Sequence, residues 1–205
     1  MRDVFHEETV EIVDRAKAKR KYDLFNILNK ISYFCAVIWA IIATFFPIGD
    51  LFFWIFGILP IVIFIVGGVM LGKARDSFYV EYDYRFLSGE VVISKVINAK
   101  KRQKGFKFRC IDLERFGVYN SETYKKYEKM PNVIKSNMTS NVYPEKNKNF
   151  FFVVFTDKDK KRLLIMECTN KLISYMMSYC NKFVFDEELK NLWFIWTMRQ
   201  LQSPI

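Results

Sequence analysis

Residues 31–49 read ISYFCAVIWAIIATFFPIG and residues 51–72 read LFFWIFGILPIVIFIVGGVMLG, two runs of 19 and 22 residues with no charged side chain. A helix rises about 1.5 Å per residue, so about 20 apolar residues cross a hydrocarbon core of about 30 Å. Both runs are long enough. Only Pro47, Ile48, Gly49 and Asp50 lie at the junction, which predicts a tight turn between two antiparallel helices. Burying both runs as core helices of a soluble chain of 205 residues would leave neither with a polar face. About 30 residues of charged sequence precede the first run, unlike the short basic stub of a cleaved signal peptide. The expectation is a retained transmembrane hairpin over residues 31–72.

The cations set its orientation. Arg15, Lys17, Lys19, Arg20, Lys21 and Lys30 precede the hairpin, Lys73 and Arg75 follow it, and the turn has none. Lys and Arg concentrate on the cytoplasmic side, so both termini are expected there. Reduced cysteines fit that compartment, where the sequon Asn137-Met138-Thr139 would be idle. Neither run holds an ionisable group of the kind that marks ion or proton pathways, which argues against a channel or transporter built from the hairpin alone. Pro60 predicts a bend in the second helix, and Gly67 and Gly68 predict close packing against the partner helix or another copy.

Residues 3–21 read as an amphipathic helix with Val4, Phe5, Ile12, Val13 and Ala16 as apolar positions, so residues 1–30 are expected to lead helically into the first span. Residues 184–205 are expected to hold a last helix. Its stretch DEELKNLWFIWTMRQL (186–201) starts with acids and has Arg199 near its end, as helix termini favour. Too short to span, it either docks on the domain or lies in the membrane interface.

Residues 73–183 form the expected cytoplasmic domain. FYVEYDYRFL (78–87) and EVVISKVIN (90–98) alternate apolar and polar residues around Ser88-Gly89, a β-hairpin pattern. Further strands are predicted at residues 106–111, 113–119 and 133–142, and a helix over 121–130 that is capped by Ser121 and stopped by Pro131. A second hairpin spans residues 150–168 around TDKDK (156–160), and an amphipathic helix follows at 170–180.

Antiparallel strands closed by a C-terminal helix, over residues 77–183, resemble the pleckstrin-homology-like architecture. The segments YVEYDYRFLSGEVVISKVINAKKRQKGFKFRCIDLERFGVY (79–119) and FVVFTDKDKKRLLIMECTNKLISYMMSYC (152–180) are similar to a family of uncharacterised bacterial two-helix membrane proteins. The resemblance rests on Tyr82, Tyr84, Gly89-Glu90, Ile93, the basic run and Asp112. It implies a seven-stranded antiparallel barrel or sandwich plugged by a helix, with a domain of unknown function in the bacterial plasma membrane. The fold class is thus a membrane α-helical hairpin plus an α+β soluble domain.

The formal charge is +10, and residues 73–183 carry 23 Lys/Arg against 12 Asp/Glu, or +11. Seven cations and no acid fall between residues 95 and 109: Lys95, Lys100, Lys101, Arg102, Lys104, Lys107 and Arg109. A loop AKKRQKG (99–105) between two strands would present several of them together to phosphate oxygens. They are the candidate contact for anionic lipid or a partner. The competing reading is a solvated run that blunts a strand edge. Nucleic acid is the other polyanion, but Phe106 and Phe108 at period two fit a core better than a stacking platform, so it is disfavoured.

Catalytic and metal signatures are missing from the sequence. His6 is the sole histidine, placed near an N-terminus expected to be mobile, and Cys35, Cys110, Cys168 and Cys180 have no Cys-x-x-Cys spacing. No phosphate-cradling glycine loop or nucleophile elbow occurs. No cofactor, metal or enzymatic activity is expected. The reading is a membrane-anchored binding or scaffold module whose partners are the bilayer and a protein segment or anionic lipid. Its rivals are an accessory subunit of a membrane complex and a small enzyme with an unrecognised site.

Overall fold

The computed structural model describes residues 4–45, 49 and 52–192. It divides into two compact units, one of Asp14–Val80 with Ile97–Ala99, the other of Met1–Val13, Glu81–Val96 and Lys100–Ile205.

In the first unit the charged stem and the first apolar run are one helix, α1 (Arg15–Ala43), which begins where the Asp14 carboxylate accepts from the Lys17 amide at 3.1 Å. The second helix starts as a π-helical segment, Phe53–Ile58, and continues as α2 (Leu59–Phe78). Both are long and apolar enough to cross a membrane by length and composition. Pro60 stands one residue after the switch from π-helical to α-helical backbone at Leu59, an irregularity that accommodates its missing amide hydrogen. The tight packing expected of Gly67 and Gly68 is made with α1 of the same chain. Gly68 faces the Tyr33 ring, 2.9 Å from where a Cβ would stand, and Gly67 faces Ser32. Polar side chains of α1 turn inward to backbone carbonyls of the second helix. Asn29 Nδ2 donates to Gly68 O (2.5 Å), Ser32 Oγ to Phe64 O (2.7 Å) and Trp39 Nε1 to Phe56 O (2.8 Å). Bulky apolar residues such as Val37, Ile41, Val62 and Ile63 are left exposed on the outside. Of the expected turn, residues 46–48 and 50 lie outside the described residues.

The second unit holds most of two four-stranded sheets. Strand β1 (Phe5–Val10) pairs antiparallel with β2 (Val80–Leu87), from Phe5↔Leu87 to Val10↔Tyr82. The amphipathic helix expected from residue 3 is therefore a strand followed by a turn, with α1 starting only at Arg15. The edge of β2 offers β1 a hydrogen-bond ladder, Val10 enters the core, and Glu8 accepts from the Thr169 amide (3.0 Å) and hydroxyl (2.5 Å). His6 is thus held in a strand.

β2 and β3 (Glu90–Ile97) are joined by Ser88 and Gly89, both at positive φ, as a two-residue hairpin turn requires. After Asn98 and Ala99, also at positive φ, β4 (Lys101–Arg109) completes the order β1-β2-β3-β4. The basic run expected as a loop is thus an edge strand, its turn confined to residues 98–100. The second sheet has the order β5-β7-β8-β6, from β5 (Leu113–Val118), β6 (Val133–Asn137), β7 (Lys148–Asp157) and β8 (Lys160–Thr169). The β7–β8 hairpin turns through Lys158 and Asp159 at positive φ. Helix α3 (Glu122–Glu128), capped by Ser121, precedes β6.

Two features depart from a closed seven-stranded antiparallel barrel. β6 runs parallel to β8, and the eight strands form two separate sheets with no closed barrel among the described residues. The eighth strand is β1, which the chain supplies from before α1. Helix α4 (Asn170–Tyr179) packs Leu172, Ile173 and Met176 into a core built on Tyr84, Phe86, Ile93, Phe116, Phe151 and Leu164. Beyond it, Phe185 bridges to Phe116 of β5 and residues 187–192 are helical; the rest of the expected last helix lies outside the described residues.

Candidate functional site

The seven cations separate into two groups once placed on β3 and β4. Three are matched by carboxylates. Arg102 Nη2 lies 2.6 Å from Asp83 Oδ2, and Asp83 also accepts from Thr9 Oγ1 at 2.8 Å. Lys107 reaches Glu90 at 2.9 Å, and Arg109 grips Asp112 with two hydrogen bonds of 2.7 and 3.0 Å. The Lys107–Glu90 and Arg109–Asp112 pairs are largely exposed, so each contributes little stability, whereas Asp83 is itself buried. The side chains of Lys95, Lys100, Lys101 and Lys104 have no ion pair or hydrogen bond among the described residues.

Lys95 stands apart from the rest. Successive strand residues point to opposite faces, and Val91, Ile93 and Ile97 of β3 are all buried. Lys95 shares their register, so a lysine starts from a core-facing position, and the residue as a whole is half-buried. It lines a cleft of about 240 Å³ together with Tyr82, Gln103 and Lys104, over an apolar floor of Ile93, Phe106 and Met138. Gly105 completes the wall, and a Cβ there would stand 2.5 Å from the Ile93 carbonyl oxygen. Only glycine allows β4 so close to β3 at this point. Phe106 is held beneath the Arg162 guanidinium, 5.1 Å from its ring centre, and Arg162 is fixed by Asp157 at 2.8 Å. Burial pushes the Tyr82 phenol above its ordinary pKa, so its hydroxyl remains a donor at neutral pH. Its present acceptor is the Asn137 carbonyl at a long 3.4 Å.

Other reactive groups are occupied or quiet. His6 Nε2 lies 3.2 Å from Glu8 and its ring meets Tyr175 edge-on. All four thiols are free. Cys180 and Cys110, far apart in sequence, meet through a hydrogen bond that, with burial, raises the Cys180 thiol pKa, and burial raises that of Cys168. Protonated thiols are poor nucleophiles and poor metal ligands. Among the described residues no three His, Cys, Asp or Glu side chains converge as a metal site.

A family model described as a bacterial PH-like domain (DUF6106) matches residues 3–186. The chain belongs to that family. The matched span takes in every strand of the two sheets, both long helices and α4, so this PH-like family includes the helical hairpin as well as the domain. No curated protein and no solved structure matches the chain.

The sequence reading grouped all seven cations as one basic cluster around the loop 99–105, whereas Arg102, Lys107 and Arg109 are paired within the domain. It did not assign Tyr82 or Gln103 to the site. The signal for the cleft was available in EVVISKVIN (90–98), where Lys95 interrupts the apolar positions of the alternation.

Proposed function

We propose that this chain is a non-enzymatic binding or scaffold module anchored in the bacterial plasma membrane, with α1 and α2 spanning the bilayer and both termini in the cytoplasm. In this reading the basic strand β4 meets anionic lipid headgroups, and a protein segment is the further partner. The observation that carries it is the set of lysines without carboxylate partners on and beside β4, in a chain whose two long helices are apolar over enough length to span. Each cation near an anionic leaflet contributes about 1 kcal/mol, so Lys100, Lys101 and Lys104 together bias the strand toward the surface by about 3 kcal/mol at low salt.

The test uses the full chain, because a fragment beginning at residue 73 would lack β1. Reconstituted in nanodiscs of phosphatidylcholine alone or with phosphatidylglycerol, it is treated with an amine-acylating reagent and the modified lysines are read by mass spectrometry. Lys100 and Lys101 are expected to be protected in the anionic discs and released by high salt. Equal labelling in the two discs would rule out the lipid contact.

A further inference from the structure

We infer that the cleft formed by β3, β4 and Met138 is a binding site for a single phosphomonoester group, held by Lys95 and Lys104 with the Tyr82 phenol as a neutral donor. This inference rests on the binding-module reading above and names the ligand chemistry of the same face.

A lysine that starts from a core-facing position runs its stem along apolar surface and brings its ammonium to the cleft, where no carboxylate stands beside it. The carboxylates of Asp83, Glu90 and Asp112 are each engaged by another cation. None of them, and no other acid, lines the cleft, whose lining includes Lys95, Lys104 and Tyr82. All three can donate hydrogen bonds, and the two lysines carry positive charge, so the complement is an anion with several acceptor oxygens. Two cations match a dianion, which favours a terminal phosphomonoester over a diester. The volume of about 240 Å³ accommodates a phosphoryl group and a short ester carbon chain, with Phe106 and Met138 against the carbon. It is too small for a large cofactor. The long Tyr82 hydrogen bond to Asn137 is weak enough to be exchanged for a phosphate oxygen.

Such a group can reach the cleft as a lipid headgroup or as a soluble metabolite. The experiment titrates the full chain in phosphatidylcholine nanodiscs with glycerol 3-phosphate, reading acylation of Lys95 and Lys104 and the heat of binding. A second arm compares discs containing phosphatidic acid with phosphatidylglycerol discs matched in surface charge. Saturable protection is expected, weakened at least about tenfold by Lys95→Gln and retained by Lys95→Arg and by the double variant Lys100→Gln, Lys101→Gln. Protection by phosphatidic acid beyond its charge-matched control assigns the group to a lipid; protection by glycerol phosphate alone assigns it to a soluble ester. No saturable protection in either arm overturns the inference, as does equal loss in the Lys95→Gln and Lys100/Lys101 variants. Loss of salt-sensitive protection at Lys100 and Lys101, with ester binding intact, would remove surface adhesion and leave the cleft standing.

Discussion

Glu167 of β8 is fully buried, and its carboxylate gathers three donors from the segment after β6: Thr139 Oγ1 at 2.5 Å, Asn141 Nδ2 at 2.9 Å and the Glu145 amide at 2.7 Å. Asn141 in turn donates to the Glu11 carbonyl (2.8 Å) and accepts from the Val13 amide (3.0 Å), so one carboxylate secures both a long loop and the exit of β1. Glu167→Ala would leave these donors without an acceptor in a site that water enters only after the loop loosens. Hydrogen bonds to a charged group are worth about 1.5–3 kcal/mol each and a buried donor left unsatisfied costs about 1–3 kcal/mol, so losing all three costs about 3–5 kcal/mol in total. With roughly 2–8 °C lost per kcal/mol in domains of this size range, melting falls by roughly 6 °C or more. Glu167→Gln keeps the shape and one acceptor oxygen but sets an amide NH₂ against a donor, and costs about 1–2 kcal/mol. The assay is thermal unfolding of the full chain by circular dichroism, with limited proteolysis across residues 139–147. A Glu167→Ala variant that melts with the parent, or a Gln variant worse than the Ala variant, would refute the argument.

Further expectations follow from the same contacts. A Cβ at Gly117 would overlap the Asp186 carboxylate, which accepts from Val118 N (3.2 Å) and Leu189 N (2.7 Å). Gly117→Ala is therefore expected to cost about 1–3 kcal/mol and to speed amide exchange over residues 182–192; unchanged exchange there would contradict it. Burial raises the Glu114 carboxyl pKa, but Lys161 at 2.5 Å and Thr156 at 2.7 Å outweigh it and hold the group below its ordinary value. A depressed folded pKa gives stability that is present above the unfolded carboxylate pKa and lost as pH falls through the folded one. Melting curves from neutral to acid should thus fall more steeply for the parent than for Glu114→Gln, and parallel curves would contradict the bridge. Gly68→Val drives a side chain into the Tyr33 ring and separates Asn29 from its carbonyl, so the helical hairpin should open at lower denaturing-detergent concentration. Gly67→Ala, whose nearest neighbour is Ser32 Oγ at 3.7 Å, should not alter that concentration.

The two helices and both tight β-hairpins were legible because each has a local cause. Apolar runs of spanning length, Ser88-Gly89 and the TDKDK turn act over a few residues. β1 was not legible, since FHEETV suits a helix about as well as a strand and only the edge of β2, far along the chain, decides between them. The parallel placement of β6 beside β8 is likewise a tertiary choice that no short window records. The basic run misled for a different reason. Charge density suggested a solvated loop, yet an edge strand tolerates lysines well because one side of its backbone has no partner strand, and cations there discourage edge-to-edge pairing. Arg102, Lys107 and Arg109 could not be separated from the other cations without knowing that Asp83, Glu90 and Asp112 lie within reach.

The central claim, that the α1–α2 hairpin anchors this PH-like chain in a bilayer, is tested most directly by alkaline carbonate extraction of membranes from bacterial cells producing the full chain. The account predicts that the chain stays in the membrane pellet and is released only by detergent. Its recovery in the carbonate supernatant would contradict the anchor and, with it, the placement of the basic strand at a lipid surface.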